Sequence, residues 1–326
     1  MARLRESPGV ARSRSREPVT GRLCLKHEWR HGRQVVVLDQ AQVEWFMYRK
    51  VFASKVFDRK VVLITGGCAG IGRALTERMA QAGARVVIFD LDQNAIDGLV
   101  QHLVDHHNAD ALGLRCDVSD AEAVQQAVAL VVERFGGIDV LINNAGITHR
   151  SRVAETSLAV FERIMAVNFY GALHCTQAAL PSLIARDGQI IVLSSLSQYA
   201  PVPDRGAYNA SKHALHGLFE TLRSELVDTG VNVMLVCPGY TATDLRKNVL
   251  VGDGSTAPQP ALAVGRVASP QDVAESIYQG ALRRRRLLVL SNLDWRARLV
   301  ARCFPRLFEQ LLLPRLAGAR ASTGTG

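Results

Sequence analysis

The chain has 326 residues, 48% hydrophobic and 21% charged, which is ordinary globular material and enough for one large domain with extensions. Its net charge of +9 is unevenly spread: residues 1–60 carry 14 Lys/Arg against 6 acids, residues 281–326 carry 10 against 2, and the middle carries 15 against 22. Basic charge confined to the two ends argues against a nucleic-acid enzyme, whose positive surface would surround its working site, and no run of about 18 uncharged apolar residues is present to span a bilayer.

In chain order, residues 1–59 contain scattered Arg, Ser and Pro with weak periodicity, and MARLRESPGV has no apolar segment of the secretory kind. Glu6, Glu17 and Glu28 do not suit a mitochondrial presequence, so a basic, partly disordered extension is expected. From residue 60 onward, short apolar runs alternate with amphipathic segments of helical length. VVLIT (61–65), RVVIF (85–89), LGLRC (112–116), DVLIN (139–143), QIIVLS (189–194), VNVMLVC (231–237) and LLVL (287–290) read as strands. Helical patterns lie between them near 70–82, 92–107, 119–135, 155–185, 207–229 and 270–282. Val, Ile and Leu without alternation mark strands buried on both faces, as in a parallel sheet covered by helices. The pattern predicts an α/β fold with a doubly wound parallel sheet of about seven strands in one main domain, residues 60–293. Six cysteines (24, 68, 116, 175, 237 and 303) form no CxxC pair and read as reduced thiols in a cytoplasmic setting.

The first strand runs into Thr65-Gly66-Gly67-Cys68-Ala69-Gly70-Ile71-Gly72, with a helical pattern directly after it. Such glycines allow a tight turn and close backbone approach to a pyrophosphate, which the N-terminus of the following helix favours. Asp90, closing the second strand, stands where an acid grips the ribose hydroxyls and repels an extra phosphate, so NAD is expected rather than NADP. Further on, Tyr208 and Lys212 lie four residues apart on one helical face.

These residues, with Asp117-Val118, the NNAG at Asn143–Gly146, Asn168, Ser195 and Pro238-Gly239, occur in the order found in the short-chain dehydrogenase/reductases, which residues 58 to 290 closely resemble. The resemblance implies a Rossmann-type domain and a hydride-transferring enzyme. It casts Tyr208 as general acid/base, Lys212 as its cationic partner and ribose ligand, Ser195 as hydrogen-bond partner of the reacting oxygen, and Asn168 as holder of a relay water. For cofactor binding it points to Gly66, Cys68, Gly70, Ile71, Gly72 and Asp90, to Asp117 and Val118 at the adenine, and to Asn144, Ala145 and Gly146 along the adenosine. Asn143 is expected to brace the sheet. Pro238, Gly239, Thr241 and Thr243 should pass the carboxamide, although position 241 is usually Ile or Val in this family. A free tyrosine titrates near 10, so work near neutrality requires a drop of about three units, which a cation supplies only in a partly dried site beside bound nicotinamide.

No metal site is expected: His102 and His106, at i and i+4, have no obvious acid or cysteine partner. The loop from Asp244 to Ser269 reads as a mobile lid, neither strongly basic nor aromatic, so an acidic substrate is not suggested, with Tyr199, Val202 and His149 as pocket-wall candidates. The basic, apolar-faced tail, 294–326, suits either packing on protein or peripheral contact with an anionic membrane. The resulting expectation is an NAD-dependent oxidoreductase acting on a secondary alcohol or its carbonyl counterpart, an apolar one if the tail meets a membrane, in a homo-oligomer. The alternative is a catalytically silent dinucleotide-binding sensor or membrane-associated scaffold of the same fold.

Overall fold

In a computed structural model of the chain, the described residues are 26–30, 33–37, 56–199, 202–243, 249–257 and 267–290, with a few isolated positions from 303 to 310. Two compact units divide it, Met1–Val51 and Phe52–Gly326. In the first, β1 (Lys26–Arg30) and β2 (Arg33–Val37) pair antiparallel, so part of the segment expected to be disordered forms a hairpin. Nearly all of the tail, 294–326, lies outside the described residues.

The second unit holds the alternating elements. They are β3 (Val61–Thr65), α1 (Gly70–Gln81), β4 (Arg85–Asp90), α2 (Gln93–His107), β5 (Ala111–Arg115), α3 (Ala121–Phe135) and β6 (Val140–Asn143). After them come α4 (Leu158–Met165), α5 (Gly171–Ala185), β7 (Gln189–Leu193), α6 (Gly206–Glu225), β8 (Asn232–Pro238), the short pair β9 (Val249–Leu250) and β10 (Thr256–Ala257), α7 (Pro270–Leu282) and β11 (Leu287–Leu290). Seven strands form one all-parallel sheet in the order β11-β8-β7-β6-β3-β4-β5. Every residue of β3, β6 and β7 is buried, as uninterrupted Val/Ile/Leu runs require when helices cover both faces. Two apolar clusters lie on opposite sides of it: Leu75, Met79 and Ile277 belong to one, Val128, Leu183 and Phe219 to the other.

The chain winds outward from β3 through β4 to β5 and then returns to β6 on the other side of β3. This reversal opens a crevice at the carboxyl ends of β3 and β6, the place where doubly wound sheets bind ligands. At the opposite end, Asp139 accepts hydrogen bonds from the Val61 amide (2.9 Å), Lys60 (2.8 Å) and Arg186 (3.3 Å). Its carboxylate is nearly inaccessible and supplies the partner that the first sheet amide needs. We expect Asp139→Ala to destabilise the domain by about 2–4 kcal/mol, measurable by urea unfolding, because it strands a buried amide and two cations.

The single helix expected over 155–185 is instead two, joined by a π turn at Ala166–Tyr170, where the Gly171 amide donates to the Ala166 carbonyl. One extra residue in the turn rotates the following helix relative to the preceding one, a device common near functional sites. Asn168 sits inside this turn, 1% exposed.

Candidate active site

The glycine loop connects β3 to α1 without a side-chain cap: Ala69, at the N-cap, provides no hydrogen bond to the helix amides. Gly66 adopts a left-handed φ of +62°, and a side chain on Gly72 would collide with the Gly66 carbonyl. Loop shape is fixed from outside. Thr65 Oγ1 accepts from the Asn144 and Ala145 amides, both at 3.0 Å, and Asn144 Nδ2 donates to the carbonyls of Thr65 and Gly66, both at 2.9 Å. These bonds stitch the carboxyl ends of β3 and β6 together across the crevice. The side chain of Asn144 is thus engaged in shaping the cradle. Thr65, absent from the sequence-based candidates, is the hub of the stitch; its place as the last strand residue before the glycines was the only signal for it.

Asp90 closes the loop from the side. Its carboxylate accepts from the Cys68 amide at 2.9 Å and the Leu91 amide at 2.8 Å. Burial and the Asp90 charge push the Cys68 thiol up to about 12, so it is not a thiolate nucleophile at neutral pH. Asp117 is exposed and accepts from the amide and hydroxyl of Ser119, at 2.9 and 2.7 Å. Val118 packs under Gly171 at the start of α5. Asn143 braces the sheet as expected, donating to Thr176 Oγ1 at 2.9 Å.

On the other side of the crevice, Pro238 ends β8, and Thr241 Oγ1 donates to the Gly239 carbonyl at 3.3 Å. Thr243 lies against Gly70, and the two help line a depression of about 360 Å³ with Arg73, Ala74, Glu77, Ala242, Pro270 and Gln271. Arg73, paired with Glu77 at 2.9 Å, lies along α1. A cradle that excludes Cβ atoms, an uncapped helix end and an acid bound to the loop amide fit a dinucleotide whose pyrophosphate lies over α1 and whose ribose meets Asp90.

Tyr208 and Lys212 are one turn apart on α6, with Lys212 Nζ 5.7 Å from the ring centre of Tyr208. The ammonium is 5% exposed and donates to the Leu193 carbonyl at 2.8 Å, which ties it to the end of β7. Burial lowers Lys212 to about 8 from its ordinary 10.5. Ser195, two residues past β7, accepts from the Ser197 amide at 3.2 Å, and its hydroxyl lies close enough to Tyr208 to pull the phenol's pKa down. A chain of bonds positions α6 from behind: Asn168 Nδ2 donates to the Ile147 carbonyl and to Ser211 Oγ, both at 3.0 Å, and Ser211 Oγ donates to the Tyr208 carbonyl at 2.8 Å. Asn168 Oδ1 accepts from the Ile147 amide at 2.8 Å. A Cβ on Gly146 would come within 3.2 Å of Asn168 Oδ1 and 3.6 Å of Lys212 Nζ, which places these two groups around one small space.

The drop expected of Tyr208 belongs to the site with nicotinamide bound; in the chain by itself burial dominates. The phenol's pKa is raised, with burial the largest cause; the Ser195 hydroxyl and the Arg205 charge pull it down, and Lys212 is not among the influences. At this separation the ammonium, turned toward Leu193, does not offset the desolvation of the phenol. Arg205 was not singled out from the sequence, and a lone arginine in a turn carries no pattern by which to find it. His149 is fully buried, as a pocket-wall residue can be. Among the described residues no cluster of three or more His, Cys, Asp or Glu could hold a metal, and His106 Nδ1 lies 3.0 Å from the His102 carbonyl. No described helix is long and apolar enough to cross a membrane, and Cys68, Cys116, Cys175, Cys237 and Cys303 form no disulfide among the described residues.

A Rossmann-type sheet with a glycine cradle and a Ser–Tyr–Lys set at one crevice defines a dinucleotide-dependent class of oxidoreductase. The sequence pattern of short-chain dehydrogenases matches residues 60–252, and the chain belongs to that family. It is 36% identical over 243 residues to a dehydrogenase/reductase SDR family protein 7-like of Anopheles gambiae, covering 73% of this chain and 77% of the relative. A Burkholderia phymatum short-chain dehydrogenase/reductase solved in complex with NAD superposes with a TM-score of 0.69 at 27% identity, covering 77% of this chain and 95% of that one. An alcohol dehydrogenase from Thermococcus sibiricus, complexed with 5-hydroxy-NADP, gives 0.62 at 27% identity over 71% of this chain and 95% of that one.

Proposed function

We propose that the protein interconverts an alcohol and its carbonyl counterpart, a secondary alcohol with a ketone or a primary one with an aldehyde, with NAD favoured over NADP and Tyr208 as general acid/base. The observation that carries this reading is the buried Lys212 ammonium one turn from Tyr208, its Nζ 5.7 Å from the phenol ring centre, with Ser195 beside the same phenol. NAD, bound along the cradle, supplies the hydride acceptor in oxidation and, reduced, the donor in reduction. Ser195 and Tyr208 receive the substrate oxygen between their hydroxyls. Burial keeps the phenol protonated, the form that donates to a carbonyl oxygen as negative charge develops there. Lys212, held on Leu193, would bind the cofactor ribose once the dinucleotide is in place. Asn168 and Ser211 fix the height of α6, so the phenol cannot slide along the crevice. Proton uptake behind Lys212 proceeds in the small space shared with Asn168.

Asp90 supports the NAD preference, because a carboxylate beside the adenosine ribose repels a phosphate. Asp90→Ala should raise kcat/KM for NADP relative to NAD by about 5-fold to 10³-fold, since a like-charge contact near 4 Å costs roughly 1–4 kcal/mol. An unchanged ratio in steady-state assays with both dinucleotides would remove Asp90 from cofactor selection. A homo-oligomer built on α5 and α6, in a cytoplasmic setting, completes the proposal. NADH absorbance across a panel of alcohols and ketones tests the activity itself.

A further inference from the structure

Arg205 lies one turn before Tyr208 as Lys212 lies one turn after it, so two cations flank the phenol along α6. Their surroundings differ. Lys212 is anchored on a backbone carbonyl, whereas Arg205 has no carboxylate partner among the described residues. Its guanidinium carbon stands 5.9 Å from the Tyr208 ring centre, and its buried Nε donates to nothing. A guanidinium placed against an aromatic ring keeps its N–H fork free for a planar anion.

A second group of unpartnered donors lies beside it. Ser151 bridges Arg205, and the Ser151 amide donates to the Asp204 carbonyl at 3.0 Å, so the segment from 148 to 151 runs along the residues that lead into α6. Thr148 is 2% exposed with its hydroxyl unpartnered, and His149 is 0% exposed with both ring nitrogens unpartnered. The Arg205 charge acts on His149, adding to burial in holding the imidazole below its ordinary value and therefore neutral, with one N–H to offer. Backbone bonds to Leu250 at 2.8 and 3.1 Å fix this segment, so its polar groups cannot swing out to solvent. Asn209 Oδ1 is the single orphan acceptor on the adjoining turn. Buried donors without partners are rare in proteins, and two of them beside a guanidinium whose own Nε is unpartnered favour a negatively charged group.

We propose that Arg205, with Thr148 and His149, forms an anion subsite next to Tyr208, and that the substrate is a hydroxy or oxo compound carrying a carboxylate or phosphate a few bonds from the reacting carbon. The inference rests on the oxidoreductase reading for the identity of the reacting carbon. The 244–269 loop, with Arg246, Lys247 and Arg266 against Asp244 and Asp253, is not strongly basic; the charge that selects an acidic substrate comes from the turn before α6 instead.

Two matched pairs test it: 4-oxopentanoate against its methyl ester, and hydroxyacetone phosphate against hydroxyacetone. Each is titrated calorimetrically into NADH-saturated protein and assayed for turnover, with wild type, Arg205→Gln and Arg205→Lys. In the wild type the anionic member of at least one pair should bind at least about tenfold more tightly than its neutral partner, and any turnover difference should lie in KM. The favoured pair tells carboxylate from phosphate. Arg205→Gln should bring the two members to parity, and Arg205→Lys should keep part of the preference. Parity in the wild type for both pairs overturns the proposal, and so does an equal loss for both members in Arg205→Gln, which would mark a structural role. Anion preference without turnover of any compound would instead remove the oxidoreductase reading and leave the subsite standing.

Discussion

Tyr208→Phe should lower kcat by about 10²–10⁴-fold, the range spanned by general acid–base catalysis, and leave NADH binding in place. The substitution deletes one hydroxyl and keeps the ring. Ser211 bonds the backbone carbonyl of residue 208, so the support of α6 survives, and Lys212 remains on Leu193. What is lost is the proton donor and the influence of Ser195 on it. NADH oxidation in the presence of a turned-over ketone measures the first effect, and NADH fluorescence titration the second. A variant that keeps most of its turnover would mean that the proton comes from elsewhere.

Lys212→Met separates catalysis from stability. A lysine shifted from 10.5 to about 8 binds fewer protons in the folded chain than in the unfolded one between those values. Wild-type stability therefore rises as pH increases from about 8 to 10.5, and below about 8 the folded chain carries the full cost of a buried charge. That shift corresponds to about 3 kcal/mol for a side chain only 5% exposed. Methionine is of similar length and needs no charge, so at pH 7 the variant should be more stable by roughly 1–3 kcal/mol. The stability gap should close as pH approaches 10.5, while activity falls by about 10²-fold or more at every pH. Urea midpoints for both proteins across that pH range check the sign. A variant less stable than wild type at pH 7 would show that the Leu193 hydrogen bond outweighs desolvation.

Much of the sheet was legible because its strands are buried on both faces: β3 and β11 match their apolar runs end to end, and the other strands differ by a residue or so. The break at Ala166–Tyr170 was not, because apolar residues continue through 155–185 and a single extra residue barely disturbs a helical period. Within the site, Tyr208, Lys212, Ser195 and Asn168 were found through spacing and order. Their acidity was not, since it depends on how much water each loses: the phenol rises and the ammonium falls, both through burial. Arg205 and Thr65 escaped notice because their roles come from tertiary neighbours (the 148–151 segment for one, the end of β6 for the other) and leave no local signature.

The most direct test follows an isotope. Reduced NAD labelled with deuterium at the transferable position is incubated with the wild-type protein and a panel of ketones and aldehydes, and the products are weighed by mass spectrometry. The account predicts an alcohol one mass unit heavy from at least one compound, formed by the wild type and nearly absent with Tyr208→Phe. Tight dinucleotide binding with no label reaching any product would identify a silent binder of the same fold and contradict the assignment of the Ser195–Tyr208–Lys212 face as a hydride-transfer site.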